Sequence, residues 1–95
     1  MILFCEYAIP EPNRETFRSW AAARPELWQG GELMENVTQP GVFVEIWPVA
    51  DESAALRKQK ERLDGRSDWK QIEAWVKGGA EGVRVWTFRP IIPRG

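Results

Sequence analysis

Four short segments of the chain alternate between two kinds of residue, and each is predicted to form a β-strand. Residues 42–47 alternate between aliphatic side chains and a set that mixes aromatics with a charge. Residues 83–88 repeat this alternation, and the segments 2–9 and 32–37 complete the set of strands. Successive side chains on a strand point to opposite faces of the sheet. The pattern therefore predicts a sheet with one uniformly aliphatic face and one face that is aromatic but charged.

Helical spacing of apolar residues predicts the segments between these strands. A first helix should be interrupted by Pro25, with a separate short turn after it. Asp51 is a good N-cap for a second helix that ends at Gly65, and a third should begin at Ser67 and stop at Gly78-Gly79. The buried stripe of the second helix is expected to be Ala54, Ala55, Leu56 and Leu63. The core stripes of the other helices are expected to include Trp20, Trp28, Trp69 and Trp75.

The resulting order is β-α-β-β-α-β, with the second helical region split in two. This order is typical of an α+β protein with a four-stranded antiparallel sheet and its helices on one face. The helices are expected to cover the aliphatic face: Leu3, Cys5, Val42, Val44, Ile46, Val83 and Val85. The opposite face is expected to carry Phe4, Glu6, Leu33, Glu35, Phe43, Glu45, Trp47, Arg84, Trp86 and Phe88. Because large exposed apolar patches usually mark interfaces or ligand grooves, a second copy of the chain is expected to cover that face.

Length and composition narrow the classes of protein to consider. The 95 residues, 1–95, are expected to form one domain. A net charge of −1 argues against general nucleic-acid binding, which needs a basic surface. The basic run 57–62 is interpreted as a solvated helix face, the alternative being a patch for an anionic partner. No signal peptide is expected from the first residues, and the sequence has no run of about 20 apolar residues, so no membrane association is expected.

The chain has one cysteine and no histidine. The lone cysteine is consistent with a cytoplasmic location, and Cys5 is expected to be a small buried hydrophobe. Tyr7 lies near the end of its strand, where its hydroxyl could reach the mouth of a cavity. The absence of histidine removes Ser-His-Asp and Cys-His catalysis and most zinc chemistry, so neither a metal nor a cofactor is expected.

The last part of the sequence is similar to that of a known protein superfamily. Trp75, Gly78-Gly79 and the segment 85–90, together with the element order, resemble the dimeric α+β barrel superfamily of ferredoxin-like proteins. That superfamily includes the antibiotic-biosynthesis monooxygenases and the NIPSNAP-like proteins. The resemblance implies a ferredoxin-like fold, a homodimer with two sheets packed face to face, and a small-molecule cavity in each half. The superfamily's chemistries include cofactor-independent oxygenation of phenols, haem degradation and chlorite breakdown. The haem-handling members use a histidine that this chain lacks.

The candidate catalytic residues are Glu6, Glu45 and Arg84. The first and third strands are expected to be central neighbours, and the fourth strand is expected to lie beside the first. Glu6 and Glu45 would then lie side by side, with Arg84 across from them. Two close carboxylates in an apolar setting raise one pKa, as a general acid or base requires, and an arginine can hold an anion. The alternative is an ion pair that fixes the register of a dimer, or an exposed rim.

The aromatic residues of the same face are candidate ligand-binding groups. They could stack on a flat aromatic ligand, or they could fill the core of the dimer. These residues are Phe4, Phe43, Trp47, Trp86 and Phe88. Two functions therefore remain open. The first is a non-catalytic homodimer that binds a small apolar or aromatic ligand or simply assembles. The second is a cofactor-independent monooxygenase-like enzyme that acts on a small aromatic substrate and uses Glu6 or Glu45 as its base.

Overall fold

The protein has a mixed α+β architecture, as the sequence predicts. The computed structural model describes residues 1–64 and 67–92, so the helix end expected at Gly65 lies outside the described residues. The elements in chain order are β1 (Ile2–Ala8), α1 (Glu11–Ala22), β2 (Glu32–Glu35), β3 (Val42–Pro48), α2 (Glu52–Leu63), α3 (Lys70–Glu73) and β4 (Arg84–Phe88), with 3-10 turns at Pro25–Trp28 and Gly79–Gly82.

The strands form one antiparallel sheet in the order β2-β3-β1-β4. β1 and β3 are the central neighbours and β4 flanks β1, which confirms the expected neighbour relations. The registers pair Cys5 with both Glu45 and Val85, and Met34 with Val44. Each register joins odd-numbered residues to odd-numbered ones, and partners in an antiparallel ladder lie on the same face. All odd-numbered strand residues therefore face the helices, and the even-numbered ones face the open side.

The predicted faces of β3 are wrong. The odd-numbered set Phe43, Glu45 and Trp47 is buried beneath the helices. The even-numbered aliphatic residues of 42–46 lie on the open side instead. The physical reason is that Phe43 and Trp47 remove far more apolar area from water than valine or isoleucine would. Glu45 is tolerated there because α2 supplies an arginine to neutralise it.

The same correction applies to β2, whereas β1 and β4 match the prediction. Leu33 and Glu35 face the helices, since Leu33 pairs with Glu45 in the sheet. In β1 the helix-facing Leu3 and Cys5 are fully buried. Phe4, Glu6, Arg84, Trp86 and Phe88 lie on the open side, as predicted.

The helices begin and end mostly where the sequence signals place them. The break at Pro25 separates α1 from a 3-10 turn. Asp51 caps α2, because its Oδ1 accepts a hydrogen bond from the Ala54 amide at 2.8 Å. The third helix is shorter than predicted, because α3 ends at Glu73, and Gly78, with φ of +85°, instead precedes the 3-10 turn Gly79–Gly82. Ser67 does not act as the predicted cap, because its hydroxyl donates to the Asp64 carbonyl at 2.9 Å.

The buried face of α2 differs from the predicted stripe. Ala55 is buried, but Leu56 and Leu63 are exposed. Arg62 is buried in their place, at 2% exposure. The face of α2 that meets the sheet therefore carries a charge rather than a leucine.

A group of aromatic rings fills the space between the helices and the sheet. Trp28 stacks on Trp47 with ring centroids 6.2 Å apart, and Trp69 meets these two rings edge-on at 5.2 and 5.5 Å. Trp20 and Trp75 pack against the same core, so the prediction that the four helix-borne tryptophans are core residues is confirmed. Gly31 lies so close to the Trp47 indole that a Cβ at this position would collide with the ring.

Candidate functional site

The three candidate catalytic residues lie on opposite faces of the sheet. Glu6 pairs with Val44 and Arg84 on the open side, whereas Glu45 pairs with Cys5 on the helix side. The expected side-by-side carboxylates are therefore not formed. Glu6 and Arg84 do meet, with Arg84 Nη1 3.9 Å from Glu6 Oε1, and both side chains are partly exposed. Glu6 and Arg84 therefore lie on the open side of the sheet, whereas Glu45 is buried on the helix side.

Glu45 is the centre of a buried hydrogen-bond network with Arg62, Tyr7 and Trp47, here called the Glu45 network. Arg62 donates from Nε to Oε1 and from Nη2 to Oε2, each at 2.8 Å. The Tyr7 hydroxyl donates to Oε2 at 2.6 Å, and Trp47 Nε1 donates to Oε1 at 3.0 Å. Glu45 has no exposed surface. Each carboxylate oxygen therefore holds one bond from the guanidinium and one from an aromatic side chain.

Electrostatics fix the protonation of the groups around Glu45. Burial, and then the negative charge of Glu45, raise the pKa of Tyr7 well above its usual value, so the hydroxyl keeps its proton and donates. Burial alone would lower the pKa of Arg62, but its hydrogen bonds to Glu45 and the attraction of that charge raise it. Burial, followed by the charge of Glu45, raises the pKa of Cys5 to about 12. The hydrogen-bond geometry favours a structural carboxylate over a free general base, because both oxygens of Glu45 are already occupied by donors.

Reasoning from the sequence did not identify Arg62 as a member of this network. The interpretation of the run 57–62 as a solvated face is wrong at this residue. A signal was present, because Arg62 follows Ala55 by seven residues and so lies on the same side of the helix. A glutamate in the middle of a buried strand also requires a cation nearby, since an unpaired buried charge is very costly. The expectation for Tyr7 is likewise wrong, since its hydroxyl is directed at Glu45 and is buried.

The open side of the sheet carries an apolar surface, here called the open sheet face. Phe4 stacks on Trp86 with ring centroids 5.8 Å apart, and Phe88 meets Phe4 edge-on at 5.9 Å. Trp86 is 43% exposed and Phe88 is 51% exposed. By register, the face consists of Ile2, Phe4, Glu6, Ala8, Glu32, Met34, Val42, Val44, Ile46, Pro48, Arg84, Trp86 and Phe88. Of the five predicted ligand-binding aromatics, Phe4, Trp86 and Phe88 lie here, while Phe43 and Trp47 belong to the core.

Two clefts border this part of the molecule. One, of about 460 Å³, is lined by Glu6 and Arg84 together with Lys77, Glu81 and the backbone around Gly78. The other lies between α2 and β4, has a volume of about 550 Å³, and is here called the α2–β4 groove. It is lined by Met1, Glu52, Ser53, Leu56, Gln59, Thr87 and Arg89.

Within residues 1–64 and 67–92, no cluster of three or more Cys, Asp or Glu side chains is arranged to hold a metal ion. In the same residues, no helix has the length and apolar character needed to cross a bilayer. Comparison with protein-family models, with curated proteins and with solved structures found no significant match. The class that the structure itself defines is an α+β protein whose four-stranded antiparallel sheet is covered by helices on one face.

Proposed function

We propose that the protein is a ferredoxin-like domain that forms a homodimer through the open sheet face, in the manner of a dimeric α+β barrel, and that it acts as an assembly module. The neighbour relations of the strands support this assignment, because β1 and β3 are central and β4 flanks β1. The covered side of the sheet is filled by its own helices. The uncovered side is where a second subunit can bind.

The observation that carries the proposal is the apolar character of an uncovered sheet face. Trp86, Phe88 and Met34 are each more than two-fifths exposed there. The chain exposes 6423 Å² in total, whereas a compact monomer of 11.0 kDa exposes about 5600 Å². The excess of about 800 Å² is of the size that one partner buries in a standard interface, and exposed residues outside the sheet, such as Ile91 and Ile92, also contribute to it.

The charges on this face support the same proposal. Glu6 and Arg84 are cross-strand neighbours and Glu32 adds a second acid, so each copy of the face brings charges of both signs. In a two-fold symmetric interface the same patch meets itself. A patch with charges of both signs can bring opposite charges together when it meets a second copy, whereas a patch of like charges would repel itself.

The experiment is a measurement of the mass in solution of the wild type and of Trp86→Glu. The wild type is expected to have twice the mass of the chain, and Trp86→Glu to have the mass of one chain, because it places a charge within an apolar interface. Val37→Glu is the matched control, since Val37 is an exposed apolar residue outside the sheet, and it is expected to remain dimeric. A monomeric wild type, or a dimeric Trp86→Glu, would contradict the proposal.

A second candidate function is binding of a small aromatic ligand at the end of the open sheet face, with monooxygenase-like chemistry as its enzymatic form. The observation in its favour is the cleft of about 460 Å³, whose lining includes both Glu6 and Arg84. Glu6 would then accept a proton from a phenol, and Arg84 would hold the resulting anion. Oxygen uptake with phenolic substrates tests this function. Equal rates for wild type and Glu6→Gln would remove Glu6 as the base.

A further inference from the structure

A third cleft lies where β1 ends, next to the cleft of about 460 Å³, with which it shares Lys77 and Val42. Its volume is about 590 Å³, which is within the range of small-molecule sites. Its lining includes the cations Arg14 and Lys77, the apolar side chains of Pro10, Pro40 and Val42, and no acidic residue. It is here called the β1-end cleft.

Backbone carbonyls at the end of β1 bring the two cations to this cleft. Arg14, on α1, donates from Nε to the Ile9 carbonyl at 2.8 Å. The backbone amide of Lys77 donates to the Ala8 carbonyl at 2.9 Å. The Ile9 amide in turn donates to the Gly41 carbonyl at 2.7 Å, which attaches the turn before β3 to the same point. Three separate parts of the chain are therefore held together around the β1-end cleft.

Gly41 leaves the space that the Arg14 guanidinium occupies. A Cβ at this position would collide with Arg14 Nε. Gly41 also has φ of +90°, a conformation that glycine adopts without steric cost. The turn before β3 thus allows Arg14 to lie against the backbone at one wall of the cleft.

Both cations of the β1-end cleft lack an acidic partner. In the described part of the chain, Nε is the one atom of the Arg14 guanidinium that donates a hydrogen bond, and neither Arg14 nor Lys77 forms an ion pair. The nearby Glu35 does not neutralise them, because its Oε2 accepts from Arg18 at 2.7 Å and from the Gly41 amide at 2.9 Å. The cleft therefore presents two positive charges that are open to a ligand.

We propose that the β1-end cleft binds a small organic carboxylate, with the anionic group between Arg14 and Lys77. A guanidinium donates to both oxygens of a carboxylate through its two Nη groups, and a lysine ammonium adds a further donor. A lining with two cations and no acid favours an anion over a cation or a neutral molecule. The inference goes beyond the proposed homodimer and does not rest on it.

The walls of the cleft indicate the rest of the ligand. Pro10, Pro40 and Val42 offer apolar surface, and the prolines have no amide hydrogen that would need a partner. A bare inorganic anion would leave this surface and most of the volume of about 590 Å³ in water. A carboxylate with a compact apolar body fills the cleft and covers the prolines.

Titration of the protein with benzoate and with isovalerate, followed by amide NMR spectra, tests the site. Saturable shifts of the Ile9, Gly41 and Lys77 amide signals are expected with at least one of them. Benzamide and isovaleramide keep the apolar body without the charge, and inorganic phosphate keeps a negative charge without the body. All three are expected to bind more weakly by about tenfold or more. No saturable binding of either carboxylate, or equal binding of a carboxylate and its amide, would overturn the proposal.

Substitution of the cations locates the binding. Lys77→Gln and Arg14→Gln are each expected to weaken carboxylate binding by about tenfold or more. The Lys77 side chain is exposed, so Lys77→Gln keeps the test valid even where Arg14→Gln, which loses the bond to Ile9, fails to fold. Lys60→Gln is the control, because Lys60 is an exposed cation on α2, and it is expected to bind like the wild type. Equal affinities of Lys77→Gln and Lys60→Gln would overturn the assignment of the carboxylate to this cleft.

Discussion

At the scale of single residues, a carboxylate without contact with water is accommodated in the middle of the sheet. Glu45 accepts hydrogen bonds from Arg62, Tyr7 and Trp47. A buried charge is tolerated when it is paired and its remaining lone pairs accept hydrogen bonds. Among the residues that the structure describes, no buried side-chain nitrogen or oxygen lacks a hydrogen-bond partner. The negative charge of Glu45 also helps to raise the pKa of the neighbouring Cys5 thiol.

Cys5 is expected to make the protein less stable in alkali. The pKa of its thiol is raised from 9.0 to about 12 in the folded chain, first by burial and then by the charge of Glu45. As the pH rises above 9.0, the unfolded chain loses the thiol proton while the folded chain keeps it. The unfolded state then binds fewer protons, so the free energy of unfolding falls with pH until the folded thiol titrates.

Urea unfolding of the wild type and of Cys5→Ala checks this prediction. From about pH 7 to about pH 10, the free energy of unfolding of the wild type should fall by roughly 1.4 kcal/mol more than that of Cys5→Ala. Over about one pH unit, only the unfolded chain releases the thiol proton. The comparison removes the contribution of Tyr7, which both proteins share. Parallel pH profiles for the two proteins would contradict the raised pKa of the thiol.

At the scale of elements, α2 is held to the sheet by a charge. Arg62 lies in the last turn of α2 and reaches across to β3, where it forms two hydrogen bonds with Glu45. Its guanidinium also lies 5.0 Å from the centre of the Trp69 ring. The position of the helix against the sheet is thus specified by directional contacts, in addition to apolar packing.

Arg62→Met is expected to lower the free energy of unfolding by about 3–5 kcal/mol, because it leaves the charge of Glu45 buried without a partner. The control is Arg18→Met, whose ion pair with Glu35 is partly exposed and should contribute about 1 kcal/mol or less. Both are measured by urea unfolding. The double variant Glu45→Gln/Arg62→Met should be more stable than Arg62→Met, because it no longer contains the unpaired charge. Equal losses for the two single variants would contradict the role of Arg62.

The elements themselves were predictable, but the faces of two strands were not. Prolines, glycines and the Asp51 cap mark boundaries by local chemistry, so the strands and α2 begin and end near the predicted residues. Alternation in β3 shows that two sets of side chains face opposite ways, but it does not show which set faces the helices. That choice depends on Arg62, which lies on another element and reaches Glu45 only in the folded chain. The face of the sheet was therefore predicted correctly for Glu6 and Arg84 and wrongly for Glu45, while the catalytic role of Glu6 and Arg84 stays a prediction.

At the scale of the whole molecule, residues 1–64 and 67–92 leave one side of the sheet without a cover. The dimer prediction rested partly on Phe43 and Trp47, which belong to the core. The open sheet face remains apolar without them, because Ile2, Val44 and Ile46 take their place beside Phe4 and Trp86. Composition could indicate an excess of apolar residues for one small domain, but it could not assign them to a face.

A dimer of this kind should be more stable against heat at higher protein concentration. Association with a second folded chain stabilises the native state by mass action. The melting temperature of the wild type is therefore expected to rise over a hundredfold increase in concentration, whereas that of Trp86→Glu should stay constant. Calorimetry or circular dichroism at several concentrations checks this. A wild-type melting temperature that is independent of concentration would count against assembly through the sheet.

The tryptophans are divided unevenly between the two sides of the sheet. Of the six in the sequence, five belong to the core on the helix side and Trp86 lies on the open sheet face. The emission of the five should shift to longer wavelength only when the chain unfolds, while the emission of Trp86 responds to whatever covers it. Fluorescence titration by dilution, with Trp86→Phe as the reference, would thus follow subunit dissociation separately from denaturation without any attached dye.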